Sequence, residues 1–307
     1  MKHKSLIEQA AARLEELRRG RSDGGQNAGA AVREAPSAAG SVQEPREQSR
    51  HTIQAEPQTV ELDLAYLAAA GFITPDAPRT RIADEFRILK RPLIANASSK
   101  VPKSIRHGNL IMVTSAVPAE GKTFCSINLA MSIALELDRS VLLVDADVAK
   151  PSLPRYFGFE PQTGLLDVLK DPSLDLSAVL LRTNVEKLTL LSSGRPHLRA
   201  TELLASDAMA QLLEEMANRY SDRIVIFDSP PLLAATESPV LATQMGQIVV
   251  IVHAESTSHS SVEHALAAIE SCPVKMLVLN QVRTAGQDPY GYGYGYGYGY
   301  GSDKSGG

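Results

Sequence analysis

From Asn109 onward short apolar runs alternate with longer amphipathic stretches, and this rhythm restricts the fold more than any other feature of the chain. The apolar runs are Leu110–Thr114, Val141–Val144, Leu188–Leu191, Ile224–Phe227, Ile248–Val252 and Met276–Asn280. Helical patterning fills the gaps, notably over Thr123–Leu137, Ser206–Tyr220 and Ser258–Ser271. Continuous apolar strands separated by helices need cover on both faces. The expected class is therefore α/β, a mostly parallel sheet with helices on both faces. The first strand–helix junction narrows the class to a P-loop NTPase. Ala116, Val117, Pro118, Ala119, Glu120, Gly121, Lys122 and Thr123 follow a strand, and Phe124 continues into a helix. A Gly-Lys-Thr ending in that context marks a phosphate-binding loop, although Ala116 stands where the first glycine is usual. Successive N–H groups would wrap the phosphates of ATP, with the helix N-terminus adding a favourable dipole. Lys122 would bridge the β- and γ-phosphates, and the Thr123 hydroxyl would hold Mg²⁺.

Two further strands end in carboxylates. Val141-Leu-Leu-Val-Asp145-Ala-Asp147 and Ile224-Val-Ile-Phe-Asp228-Ser-Pro-Pro231 have the same form. Ligands of open α/β sheets bind outside the carboxyl ends of the strands, so these aspartates can converge on one metal. Mg²⁺ takes one or two carboxylates plus phosphate oxygens and water, which makes Thr123, Asp145 and Asp228 the candidate metal set. A lone strand-end aspartate is more often a loop cap. Two of them beside a phosphate loop argue for a site.

The rest of the 307 residues divides around this core. Ser5 to Arg19 reads as a short amphipathic helix, with a capping box at Ser5-Leu-Ile-Glu8 and a stripe of Leu6, Ala10, Leu14 and Leu17. Residues 21–58 are rich in Gly, Ala, Ser, Gln, Pro and charge, which predicts a disordered linker. Helical patterning returns over 59–97, broken by Pro75 and Pro78. The expected domains are thus 1–58, an NTPase domain over 59–285, and a Gly/Tyr tail over 286–307. Net charge is −4, which offers no global basic field for nucleic acid. No leader is visible, and the apolar runs fall far short of the roughly 18 residues of a membrane span. The widely spaced Cys125 and Cys272 suit a reducing compartment, so the chain is expected to be cytoplasmic, reaching a membrane only through a partner.

In the tail, Tyr290, Tyr292, Tyr294, Tyr296, Tyr298 and Tyr300 alternate with glycine. Together with the P-loop, Asp145–Asp147 and Asp228–Pro231, this cluster resembles the bacterial tyrosine kinases, or BY-kinases. The resemblance covers about residues 60–301, and Gly164–Leu169 and Glu202–Ser206 also look familial. It implies an ATP- and Mg²⁺-dependent protein-tyrosine kinase that phosphorylates its own tail in trans and regulates exopolysaccharide synthesis or export. Lys122, Asp145 and Asp147 would be catalytic, with Asp145 contributing to the metal site and to deprotonation of the phenol. Asn280 would sit where related ATPases contact the base. The implied partners are further copies of the chain, an activating inner-membrane polysaccharide co-polymerase and a cognate tyrosine phosphatase. The chain looks like the stand-alone form associated with exosortase-type systems.

Two departures stand out. The family's Asp-x-Asp is commonly followed by two basic residues, whereas this chain has Val148-Ala149-Lys150-Pro151. The family's ring-forming Glu-x2-Arg-x2-Arg helix becomes Asp84-x2-Arg87-x2-Lys90, and Lys cannot supply Arg's bidentate fork. Two other functions fit part of the pattern. A ParA/MinD-type positioning ATPase shares the fold, but its second P-loop lysine is missing from Ser115–Glu120. A non-catalytic ATP-binding scaffold is permitted by Ala149, while Lys122, Asp145, Asp147, Asp228 and six phenols together argue against it.

Overall fold

The computed structural model describes residues 58–76, 79–98, 105–219 and 223–283. The leading helix, nearly all of the linker and the tyrosine cluster lie outside these residues. The strands are β1 (Thr59–Val60), β2 (Leu110–Ser115), β3 (Ser140–Asp145), β4 (Leu181–Thr183), β5 (Leu188–Leu191), β6 (Arg223–Asp228), β7 (Gln247–His253) and β8 (Val274–Asn280). They form one sheet in the order β1-β4-β5-β3-β6-β2-β7-β8. The six apolar runs named above become β2, β3 and β5 to β8, all parallel to one another. The two strands not foreseen are the shortest. β4 pairs antiparallel with β5, and β1 lies parallel to β4 at the edge. Pieces this short carry no readable periodicity.

Each central strand feeds two cores by strict alternation. Leu110 and Met112 of β2 face one core, and Ile111 and Val113 face the other. The second core is closed by helices α1 (Leu64–Ala69), α2 (Arg81–Ala97), α3 (Lys122–Ala134) and α4 (Leu153–Phe157). The first is closed by α5 (Leu165–Lys170), α6 (Ala200–Leu204), α7 (Asp207–Arg219), α8 (Glu237–Ala242) and α9 (His259–Ala268). Helix α3, which leaves the P-loop, is buried along almost its whole length, so its polar residues need internal partners. Asn128 meets this need by accepting from Ile73 N at 2.8 Å and donating to Phe124 O at 2.9 Å.

Strand β2 connects through α3 to β3 on one side, while β6 connects through α8 to β7 on the other. Neighbouring connections therefore diverge at the carboxyl ends of β2, β6 and β3, which opens the crevice where ligands of such sheets bind.

The charged face expected on α2 needs correction. Asp84 and Arg87 are exposed and paired with each other. Lys90 is buried: its Nζ lies 2.6 Å from Glu136 Oε1 and donates to Ser132 O. A lysine at that place neutralises the carbonyl end of α3 and ties α2 to it. It is not available to a neighbouring subunit. Among the described residues, no helix is long and apolar enough to cross a membrane.

Candidate active site

The phosphate loop runs from buried Ala116 to Lys122 at the start of α3. Ala119 and Gly121 both adopt positive φ, at 70° and 90°, which turns the loop back over the helix N-terminus. Glu120 sits inside the loop as a staple. Its Oε2 accepts from Val117 N at 2.7 Å, and its Oε1 accepts from His253 N at 3.2 Å and from the Thr257 hydroxyl. This buried carboxylate is thereby used up inside the protein, which leaves Glu120 only its backbone to offer a ligand. The same holds for Phe124. Its ring leaves the site and packs 5.0 Å from Phe72. Asn280, expected near the base, donates to Glu120 O at 2.9 Å, and Gln281 beside it donates to Ala119 O at 3.2 Å. Both amides brace the loop from the end of β8.

The three strand-end aspartates converge as expected, with distinct roles. Asp145 and Asp228 lie side by side on β3 and β6. Asp228 is fully buried and satisfied: Thr123 Oγ1 donates to its Oδ2 at 2.7 Å, and Ser126 Oγ donates to its Oδ1 at 3.1 Å. Asp145 Oδ2 accepts from Ser152 N at 2.9 Å and Leu153 N at 3.0 Å. Its Oδ1 is buried without a partner. Asp147 reaches further out, and its Oδ2 accepts from Lys122 Nζ at 2.6 Å. The segment after Asp228 is fastened to the P-loop strand. Thr114 Oγ1 donates to Pro230 O at 2.8 Å, and Leu232 N donates to Ser115 O at 2.8 Å.

Electrostatics follow from burying three carboxylates around one ammonium. Burial pushes Asp145 up to about 7, helped by the charge of Asp228, and the Leu153 and Ser152 N–H groups offset this only partly. Burial also raises Asp228, against the pull of Lys122 and the two hydroxyls. For Lys122 burial acts downward, but the negative charges of Asp228, Asp147 and Asp145 outweigh it and raise its pKa. Burial, with Asp228 nearby, lifts the Cys125 thiol to about 12, so it is no nucleophile.

A surplus of carboxylate and an orphaned buried oxygen on Asp145 suit a divalent cation. Among the described residues no group of three or more His, Cys, Asp or Glu side chains is placed to hold a metal ion by itself. A Mg²⁺ ion here would thus depend on Thr123, carboxylate, water and nucleotide phosphate together. Above the aspartates lies a cavity of about 560 Å³, lined among others by Lys122, Asp147, Lys150 and Arg155. Asp145 and Asp228 form no part of its wall. Sequence reasoning passed over Ser126, Ser152 and Arg155. Ser152 carried a usable signal, since it lies just beyond an Asp-x-Asp strand end, where the returning chain supplies N–H donors.

Fold and site together define a P-loop ATPase, and the family model for an AAA domain matches residues 109–280. The tyrosine-protein kinase ptk of Acinetobacter johnsonii is 35% identical over 182 residues, covering 59% of this chain and 24% of that protein. The tyrosine-protein kinase YwqD of Bacillus subtilis (strain 168) is 30% identical over 216 residues, covering 70% of this chain and 87% of that protein. The solved structure of the kinase domain of Escherichia coli tyrosine kinase ETK superposes with a TM-score of 0.60 at 25% identity, covering 78% of this chain and 94% of that one. The chain belongs to the bacterial tyrosine-protein kinase family and carries its kinase domain.

Proposed function

We propose that this chain uses ATP and Mg²⁺ to phosphorylate tyrosines of its own C-terminal cluster in trans, and that this reaction regulates exopolysaccharide synthesis or export. The observation that carries the reading is the convergence of Lys122, Thr123, Asp147 and Asp228 beneath one cavity, with an unpartnered Asp145 oxygen beside them. Mg²⁺, when bound, neutralises charge on the β- and γ-phosphates. Lys122 would exchange Asp147 for phosphate oxygens, and Thr123, whose hydroxyl is aligned by Asp228, would help hold the metal. The phenolic oxygen forms its bond to the γ-phosphorus as the bond to the departing ADP oxygen breaks. Positioning and charge neutralisation supply most of the rate in such transfers. The phenolic proton leaves late. Asp147 lines the cavity and is released as Lys122 moves, which suits it to accept that proton better than Asp145, the carboxylate first expected to assist.

Glycine-alternating sequence of this kind is flexible, which favours delivery of a tyrosine to a neighbour's site. Each transfer adds about −1.5 to −2 charge, so a modified tail repels its neighbours and loosens a homo-oligomer. An inner-membrane polysaccharide co-polymerase as activator and a tyrosine phosphatase as antagonist complete the cycle.

The test uses the purified full chain with ATP and Mg²⁺, read by phosphotyrosine detection. Wild type should label itself and Lys122→Met should not. Mixing Lys122→Met with a chain whose six tail tyrosines are Phe should place label on the Lys122→Met partner alone. A fully labelled Lys122→Met protein would remove the site assignment, and an unlabelled mixture would remove the trans step.

A further inference from the structure

Three cations reach the wall of the cavity: Lys122, Lys150 and Arg155. Lys122 is held by Asp147. Among the described residues, no carboxylate pairs with Lys150 or Arg155. The two differ in how they are seated. Both are exposed, and Lys150 closes a turn with no aromatic ring against it among the described residues. Arg155 lies in α4, and its guanidinium carbon stands 5.1 Å from the centroid of the Tyr156 ring. That ring meets Phe72 edge-on at 5.6 Å, and Phe72 packs at 5.0 Å against Phe124. Phe124 belongs to the helix that presents Lys122 and Thr123. A run of ring contacts therefore ties Tyr156, the ring under the Arg155 guanidinium, to the helix that leaves the phosphate loop. The start of α4 is fixed from the other side, because Ser152 and Leu153 donate to Asp145.

An arginine with no acidic partner among the described residues, set over the Tyr156 ring at the wall of the cavity beside the phosphate loop, matches one ligand chemistry well. The planar fork takes a terminal phosphoryl dianion through two parallel N–H bonds, which an ammonium cannot imitate. Ala149, on the same wall, adds no charge. We propose that Arg155 is a phosphoryl-binding residue that grips the terminal phosphoryl group in the cavity. Two sources present that group: the γ-phosphate of the nucleotide before transfer, and the phosphotyrosine after it. The inference rests on the proposed kinase reaction.

The experiment compares wild type, Arg155→Ala and Arg155→Lys as full-length chains, with thermal melts to verify folding. One arm measures affinity for ADP and for the β,γ-imido analogue of ATP. The other measures competition by phosphotyrosine for the acceptor site in the autophosphorylation assay. Losing a charge-assisted pair should weaken the relevant ligand about tenfold in Arg155→Ala and less in Arg155→Lys, with ADP within about twofold of wild type. A loss confined to the imido analogue assigns the γ-phosphate, and a loss confined to phosphotyrosine assigns the product. Equal loss for ADP and the analogue would mean a general loop defect and overturn the proposal. So would wild-type behaviour of both variants in both arms. Wild-type protein that makes no phosphotyrosine would instead defeat the kinase reading itself.

Discussion

Replacing Gly121 by alanine should damage the phosphate loop in two separable ways. Gly121 has φ of 90°, where a side chain strains the backbone by about 1–2 kcal/mol. A Cβ there would also stand 2.1 Å from Asn280 Nδ2, so that amide must leave. Its departure breaks the 2.9 Å bond to Glu120 O, worth about 1 kcal/mol. The sum is about 2–3 kcal/mol, or a melting temperature lower by roughly 4–12 °C for a domain of this size. Asn280→Ala alone loses only the bond. In the double variant the bond is lost once and the collision is gone, so the two effects should fall short of additivity by about 1 kcal/mol. Urea denaturation of the four proteins measures this coupling, and nucleotide binding should fall in every Gly121→Ala background. Additivity to within about 0.5 kcal/mol would show that Asn280 does not lie over Gly121, and the bracing role would be wrong.

Lys90→Met should destabilise the domain by about 1–2 kcal/mol, because Ser132 O loses its donor while Glu136 can still reach water. Sedimentation should show unchanged assembly, and a variant that dissociates without losing stability would contradict the internal placement of Lys90. Asp145 supplies a pH prediction. Its folded-state pKa is raised to about 7, so in the nucleotide- and metal-free protein ionisation favours the unfolded chain. Stability should therefore fall as pH rises from about 4 to 7, by on the order of a few kcal/mol at most. Asp145→Asn should flatten that decline and melt higher at pH 8, while losing Mg²⁺-dependent nucleotide binding. Identical pH profiles for the two proteins would refute the assignment of the proton to Asp145.

Much of the fold could be read locally. The six apolar runs became the six parallel strands, five of them buried on both faces, while β8 at the sheet edge leaves Leu277 and Leu279 exposed. Gly-Lys-Thr at a strand–helix junction announced the phosphate loop, and the Asp-x-Asp and Asp-Ser-Pro-Pro strand ends announced its acidic floor. These signals survive in sequence because each depends on neighbours a few residues away. What each side chain meets depends on packing between distant segments, and only the tertiary structure decided it. Lys90 looked like a surface charge, yet the end of α3 passes over it. Glu120 and Phe124 looked like loop contacts to nucleotide, yet β7 captures one side chain and Phe72 the other. Asn280 donates to the loop backbone, and Arg155 reached the cavity wall because α4 folds back after Asp145. Strand and motif identity follow from local pattern, whereas charge placement follows from which helix end or strand end arrives opposite. No spacing along the chain encodes that meeting.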